Sequence, residues 1–274
     1  MAVSESVSTD PEAGAGQVPD QPAGTSQSVM RALRVLRAMR VADGELGVAE
    51  IARTVGLPMT TVHRILKTLL VAGYVVQNAA TERYHLGREA YLLGRAVANT
   101  LGFDAALPLL EHLADETGES VNLVVRDGNE GLVVLRIESQ QALRFTQPVG
   151  TKIPLHCTST GKVLLAFGPD PEAEVRALGS LQRFTPETIT SPPQLLHELE
   201  TIRKQLFSVN RGERIPGVCG VAAPVLGSDG TVVAGLAVQG PEFRLPASRV
   251  EDLAPLVISV AQAIAAALPR GYQI

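Results

Sequence analysis

The stretch VAEIARTVGLPMTTVHRILKTLLVAGYVVQNAATERYHL, residues 48–86, decides how the N-terminal part of this 274-residue chain folds. Two apolar-striped segments meet at Gly56-Leu57-Pro58, where glycine permits a tight backbone and proline pre-sets the first turn of a following helix. On the second segment Val62, Ile65, Leu66, Leu69 and Leu70 recur at helical spacing, so one stripe faces a small core. The opposite face presents Thr60, Thr61, His63, Arg64, Lys67 and Thr68. Gly73 then stops the helix, and residues 74–77 and 83–86 read as a two-stranded ribbon with a polar tip at 78–82. The result is a helix-turn-helix followed by a wing, whose second helix offers its polar N-terminal end to a DNA major groove. A merely solvated polar face is the plainer reading of any single basic helix. It does not account for turn, glycine stop and ribbon arriving in that order.

Charge is distributed to match. The whole chain carries a net −4, which alone argues against a nucleic-acid partner. Residues 28–88 hold nine Arg or Lys against Asp43, Glu45, Glu50 and Glu82, a local +5, whereas residues 1–27 and 89–274 are both net acidic. A basic module on an acidic body touches phosphate at one end and avoids it elsewhere.

Length and composition bound the remainder. The chain is too long for a lone DNA-binding module and suits two domains, and 45% hydrophobic residues can fill two cores. Residues 1–27 are rich in Ser, Ala, Gly, Pro and acids, the composition of a disordered tail. No apolar run of about 18 residues and no signal-peptide pattern appears, so a cytoplasmic protein without membrane association is expected. Helices are predicted at 29–40, with Ser28 as cap, and at 48–55 and 88–100; the last has an apolar stripe able to pack on its own domain or on a second copy.

Beyond residue 103 the pattern becomes mixed. A helix runs to Thr117 and stops at Gly118; strands follow at 120–126, 131–138 and 143–148. Helices are predicted at 159–166, 171–178, 193–206 and 246–268, with strands at 218–225 and 232–239 around Asp229-Gly230. Hairpins with helices gathered around them make an α+β layer, not a doubly wound parallel sheet.

Several long runs resemble one family. They are Gly-Leu-Pro-Met-Thr-Thr-Val-His-Arg-Ile-Leu from Gly56, Arg-Tyr-His-Leu-Gly from Arg83, Thr-Gly-Glu-Ser-Val-Asn-Leu from Thr117, Pro-Leu-His-Cys-Thr-Ser-Thr-Gly-Lys-Val-Leu-Leu-Ala from Pro154, Gly-Val-Cys-Gly-Val-Ala-Ala-Pro-Val from Gly217 and Ala-Val-Gln-Gly-Pro from Ala237. From Ser28 nearly to its C-terminus the chain resembles an IclR-type bacterial transcriptional regulator. The resemblance implies a winged helix-turn-helix at 28–87, a linker helix at 88–102 and a GAF-like effector-binding and oligomerisation domain at 103–274, assembling as dimers or tetramers on double-stranded operator DNA. Arg64 and Lys67 would then meet base edges or phosphate, Thr60 and Thr61 anchor the helix start beside His63, and Arg83 secure the wing.

The second domain would hold a small-molecule effector, a carboxylate by the chemistry of Thr158-Ser159-Thr160-Gly161, which sets hydroxyls and free N–H groups at a helix start. An ordinary N-cap explains the same residues. Position in the family pattern adds Leu143, Phe145 and Ile153 as pocket wall, Ser159, Thr160 and Gly161 at the anion end, and Asn210 and Gly220 opposite. Asn210 stands where many relatives carry an acid, and Gly220 where they carry Cys or Ser, so a larger or differently bonded effector is expected. Strand alternation points Cys219 away from that pocket.

Rival readings are weaker. A phosphate loop fails because no glycine sits five residues before Gly161. Cys157 beside His156, with Glu213 as an acid, imitates a thiol nucleophile, but strand neighbours face opposite ways. His156, Cys157, His197 and Cys219 lack paired zinc spacing. No enzyme, metal or cofactor is expected. A second domain serving only for oligomerisation remains open.

Overall fold

A computed structural model of the chain describes residues 25–42 and 44–268. Nearly all of the tail expected at 1–27 therefore lies outside the described residues.

The N-terminal unit builds on α1 (Gln27–Val41), α2 (Val48–Val55) and α3 (Met59–Val71). Their apolar stripes converge on Val35, Met39, Ile51, Ala52, Val55, Val62, Leu66 and Leu69. At the α2–α3 turn Gly56 adopts φ +61°, the left-handed region where a side chain is strained. Its N–H bonds back to the end of α2. The chain reverses again at Gly73 (φ +77°) and forms a ribbon from β1 (Val75–Gln77) and β2 (Tyr84–Leu86), with Val75 opposite Leu86 and Gln77 opposite Tyr84. Two details differ from expectation. Ser28 lies inside α1, which starts one residue after Ser26. Leu70, placed in the buried stripe by spacing, is 39% exposed, because the unit is too small to cover the flank of α3.

The helix α4 (Arg88–Leu101) leads to α5 (Phe103–Thr117), ended by Gly118 at φ +68°. Six antiparallel strands follow: β3 (Ser120–Asp127), β4 (Glu130–Ile137), β5 (Lys152–Pro154), β6 (Ser208–Arg211), β7 (Val218–Leu226) and β8 (Val232–Pro241), in the order β5-β4-β3-β8-β7-β6. Residues 143–148, expected as a strand, form no ladder and belong to a loop, while β5 and β6 are short edge strands absent from the sequence reading.

Both faces of the sheet are covered. Cys219, Val221, Ala223 and Val225 of β7, with Leu236 and Val238 of β8, face α5 and α9 (Ala247–Ala267). The alternate residues, Ala222 and Ala237 among them, face α6 (Ser159–Ala166), α7 (Pro171–Ala177) and α8 (Pro192–Gln205). Every residue of α6 is buried. The small side chains on this face let α6 lie directly on the sheet: a Cβ on Gly235 would meet the backbone of Thr160 at 3.3 Å. That close approach brings the N-terminus of α6 to the middle of the sheet, and the site forms there.

Candidate DNA-binding face and effector cavity

On α3 the buried stripe leaves Thr60, His63, Arg64, Lys67 and Thr68 exposed, with Thr61 half-buried. Arg64 and Lys67 have no ion-pair partner among the described residues, so both are available to an outside anion. The Thr68 hydroxyl instead donates back to the Arg64 carbonyl at 3.1 Å. Arg83, expected among the DNA contacts, is occupied internally. Its guanidinium donates to the Glu45 carbonyl (3.0 Å) and the Glu50 carboxylate (2.6 Å), tying the wing to α2. The Gly47 N–H also donates to Glu50 at 2.8 Å and holds that carboxyl below its usual range. Asn78 and Thr81 at the wing tip both donate to Glu45, each at 2.7 Å, lowering its pKa in the same way. The wing is thus a fixed element, not a loose hairpin.

In the second unit a cavity opens between the start of α6, the β6–β7 turn and the loop after β4. Phe145, Gln147, Thr158, Asn210, Arg214, Ile215, Val218, Gly220 and Gln239 line it. It leaves about 10 Å³ of room, the space of a single water. Phe145, Asn210 and Gly220 of the expected wall are in place. Leu143 is not: its side chain is 61% exposed, and its carbonyl accepts from Arg244. Nor is Ile153, which lies in the core beneath α6 with Val124, Val133 and Leu155. The family pattern gives position along the chain, but β5 pairs at the far edge of the sheet from β6 and β7.

At the helix start the roles divide. The Thr158 hydroxyl accepts the Gly161 N–H at 3.2 Å and donates to the Pro154 carbonyl at 2.8 Å, an ordinary N-cap. Gly161 itself packs on the Leu155 backbone, where a Cβ would clash. The Ser159 and Thr160 hydroxyls, in fully buried residues, have no partner. Gly220 does not leave spare volume: a Cβ there would lie 3.0 Å from both Ser159 Oγ and Gln239 Cγ. Asn122 donates to Gln239 at 2.8 Å and leaves its own Oδ1 unpartnered, while Asn210 Oδ1 accepts the Glu213 N–H at 2.9 Å. Unsatisfied buried polar atoms are costly, and two of these adjoin the cavity, Ser159 Oγ beside Gly220 and Asn122 Oδ1 on the residue that donates to Gln239.

Two cations frame the cavity and fare differently. Lys162, 1% exposed, donates to Glu213 (2.8 Å), Glu198 (3.1 Å) and the Val209 carbonyl (2.7 Å). Burial nevertheless holds the Glu213 carboxyl above its usual range. Arg214, next in the chain, lines the cavity with no hydrogen bond or ion pair among the described residues, and burial pushes its pKa down. Sequence reasoning noticed neither residue's surroundings, nor Gln147 and Gln239. Only the adjacency of Glu213 and Arg214 to Asn210 offered a hint.

Cys219 faces the α5–α9 core as alternation requires, and Cys157 is buried. His156 Nε2 pairs with the Gln182 carbonyl, not with either thiol, and the described residues contain no metal-competent cluster.

A basic winged helix joined to a mixed α/β domain with a polar cavity is the architecture of a DNA-binding protein with a second, ligand-binding domain. Comparison with known proteins identifies which kind. Residues 28–79 match the family model described as the IclR helix-turn-helix domain, and residues 96–266 match that of the bacterial transcriptional regulator IclR C-terminal domain. The chain belongs to the IclR family of transcriptional regulators. It is 31% identical over 247 residues to the HTH-type transcriptional repressor AllR of Escherichia coli (strain K12), covering 89% of this chain and 90% of that one. To the regulator BhcR of Paracoccus denitrificans it is 33% identical over 255 residues, covering 92% and 91%. The fold matches an IclR homologue from Microbacterium hydrocarbonoxydans, crystallised with 4-hydroxybenzoate, at a TM-score of 0.77 and 26% identity, covering 88% and 98%. The chain is a DNA-binding transcriptional regulator with a C-terminal effector-binding domain, not an enzyme.

Proposed function

We propose that the protein is a sequence-specific, effector-responsive regulator: a homodimer sets two α3 helices in successive major grooves of a pseudopalindromic operator, and a small organic acid in the cavity changes their spacing or the oligomeric state. The observation that carries it is the pairing of an unengaged Arg64–Lys67 face with a polar cavity that Thr158, Asn210, Arg214 and Gln239 line and that the unpartnered Ser159 hydroxyl adjoins at Gly220. Self-association is supported by α4, where Tyr91, Leu92, Leu93 and Val97 stay exposed on one chain. A cytoplasmic location follows from contact with DNA in a bacterial cell. In this reading the head spans 28–87, the linker 88–102 and the sensor 103–274. Arg83 and the wing orient the head, while Thr60, Thr61 and His63 flank the reading residues.

Selection of bound sequences from random duplex DNA by the purified protein, with and without a panel of organic acids, tests this. The expected result is a palindromic consensus whose occupancy changes with an acid. Arg64→Ala should weaken binding to it by more than about 1 kcal/mol and relax one base position. Salt-sensitive binding without a consensus, or an Arg64→Ala variant with unchanged affinity and preference, would overturn the assignment.

A further inference from the structure

The carboxylates near the cavity are distributed unevenly. Glu213 and Glu198 both converge on the single ammonium of Lys162, at 2.8 and 3.1 Å. Arg214 receives neither, although it follows Glu213 directly. Its position is not accidental slack. The turn that carries it is pinned from outside: Thr185 Oγ1 donates to the Gly212 carbonyl at 2.8 Å and Thr188 Oγ1 to the Glu213 carbonyl at 2.6 Å. From inside, Lys162 holds the Glu213 side chain and Asn210 its N–H. Backbone and neighbour are therefore fixed so that Glu213 points one way and Arg214 contributes to the cavity wall beside Ile215 and Val218. A half-buried guanidinium stays charged at neutral pH, and leaving it without a counter-charge has a cost that an anionic ligand removes.

We propose that Arg214 is the counter-ion of the effector and selects its class: an organic monocarboxylate, its carboxylate paired with Arg214 and a neutral hydrogen-bonding end turned toward the Ser159 hydroxyl and the Gln239 amide. The proposal rests on the organic-acid reading above and shifts the anion end from the start of α6 to the β6–β7 turn. The helix start keeps a lesser role, since Thr158 already satisfies the Gly161 N–H. One unpaired cation takes one negative charge. A second carboxylate on the ligand would find no other cation among the residues that line the cavity.

The test uses the full-length protein and three acids, pyruvate, benzoate and 4-hydroxybenzoate, each beside its uncharged amide, read by thermal stabilisation and by titration calorimetry. An acid is expected to stabilise the wild type while its amide does not. Arg214→Gln should weaken that acid by at least about tenfold, and Arg214→Lys should restore part of the loss. Folding of both variants is read from their circular dichroism. An acid bound equally by the wild type and Arg214→Gln, or an amide bound as tightly as its acid, overturns the role of Arg214 and leaves the organic-acid reading standing. No stabilisation by any of the six compounds, with operator binding intact, overturns both.

Discussion

At the scale of single residues, the two cysteines show how burial decides chemistry. Cys157 is fully enclosed, and desolvation pushes its thiol from 9.0 up to about 12. Burial raises Cys219 as well. A thiol that stays protonated at neutral pH is no nucleophile, which removes the physical basis of the Cys157–His156 reading. The same shift links stability to pH. Below pH 9 the thiol is protonated in both folded and unfolded chains, and its contribution is fully present. Between 9.0 and about 12 the unfolded chain loses the proton and the folded one keeps it, so stability falls as pH rises. Melting temperatures of the wild type and Cys157→Ala between pH 8 and 11 should therefore diverge in slope, the variant declining less steeply. Parallel slopes would mean that the thiol ionises freely in the folded protein.

Among elements, α6 and its buried lysine organise the sensor. Lys162 connects α6 to α8 through Glu198, to β6 through the Val209 carbonyl, and to the β6–β7 turn through Glu213. Replacing it by Met preserves the volume and removes the charge, leaving Glu213 buried against an apolar stem. Loss of one partner of such a pair typically costs about 3–5 kcal/mol. Lys162→Met should lower stability on that scale in denaturant unfolding, and Lys162→Met combined with Glu213→Gln should recover much of it. A double variant no more stable than the single one would show that the network is not what holds the turn. The element scale also shows what the sequence made legible. Boundaries of α2 were readable because an apolar stripe and Gly56 act over a few residues; β5 and β6 were not, because three- and four-residue edge strands are defined by partners far along the chain. Residues 143–148 alternate like a strand for a different reason. Phe145 and Gln147 turn inward over the cavity, and the Ser120 hydroxyl fastens the Phe145 carbonyl at 2.8 Å with no neighbouring strand required. Arg214 was invisible for the same cause: what sets it apart is that Glu213 chooses Lys162, 51 positions earlier.

Across the whole molecule, the head and the sensor are built on separate cores, and the charge asymmetry of the sequence follows that division. Arg40, near the end of α1, lies against Gly150, where an added Cβ would sit 2.9 Å from the guanidinium. Gly150 closes the loop whose Phe145 and Gln147 cover the cavity. Head and sensor therefore meet at the loop that covers this cavity. That cover is also fastened from the other side, where Arg244, held by Glu119 at 2.7 Å, donates to the Leu143 carbonyl at 2.9 Å. With about 10 Å³ inside, the cavity holds no more than a water as it stands, so a larger ligand requires its wall to move. The consequence is temporal. For the acid proposed above, entry would be a two-step event, opening and then capture, with apparent affinity reduced by the fraction of time the cover is open. In stopped-flow mixing the observed rate should level off with rising acid concentration, at the opening rate, whereas a rate that keeps climbing in proportion would mean the cover is never closed. A regulator that took up the proposed acid in this way would respond to how long the acid persists as well as to how much of it there is.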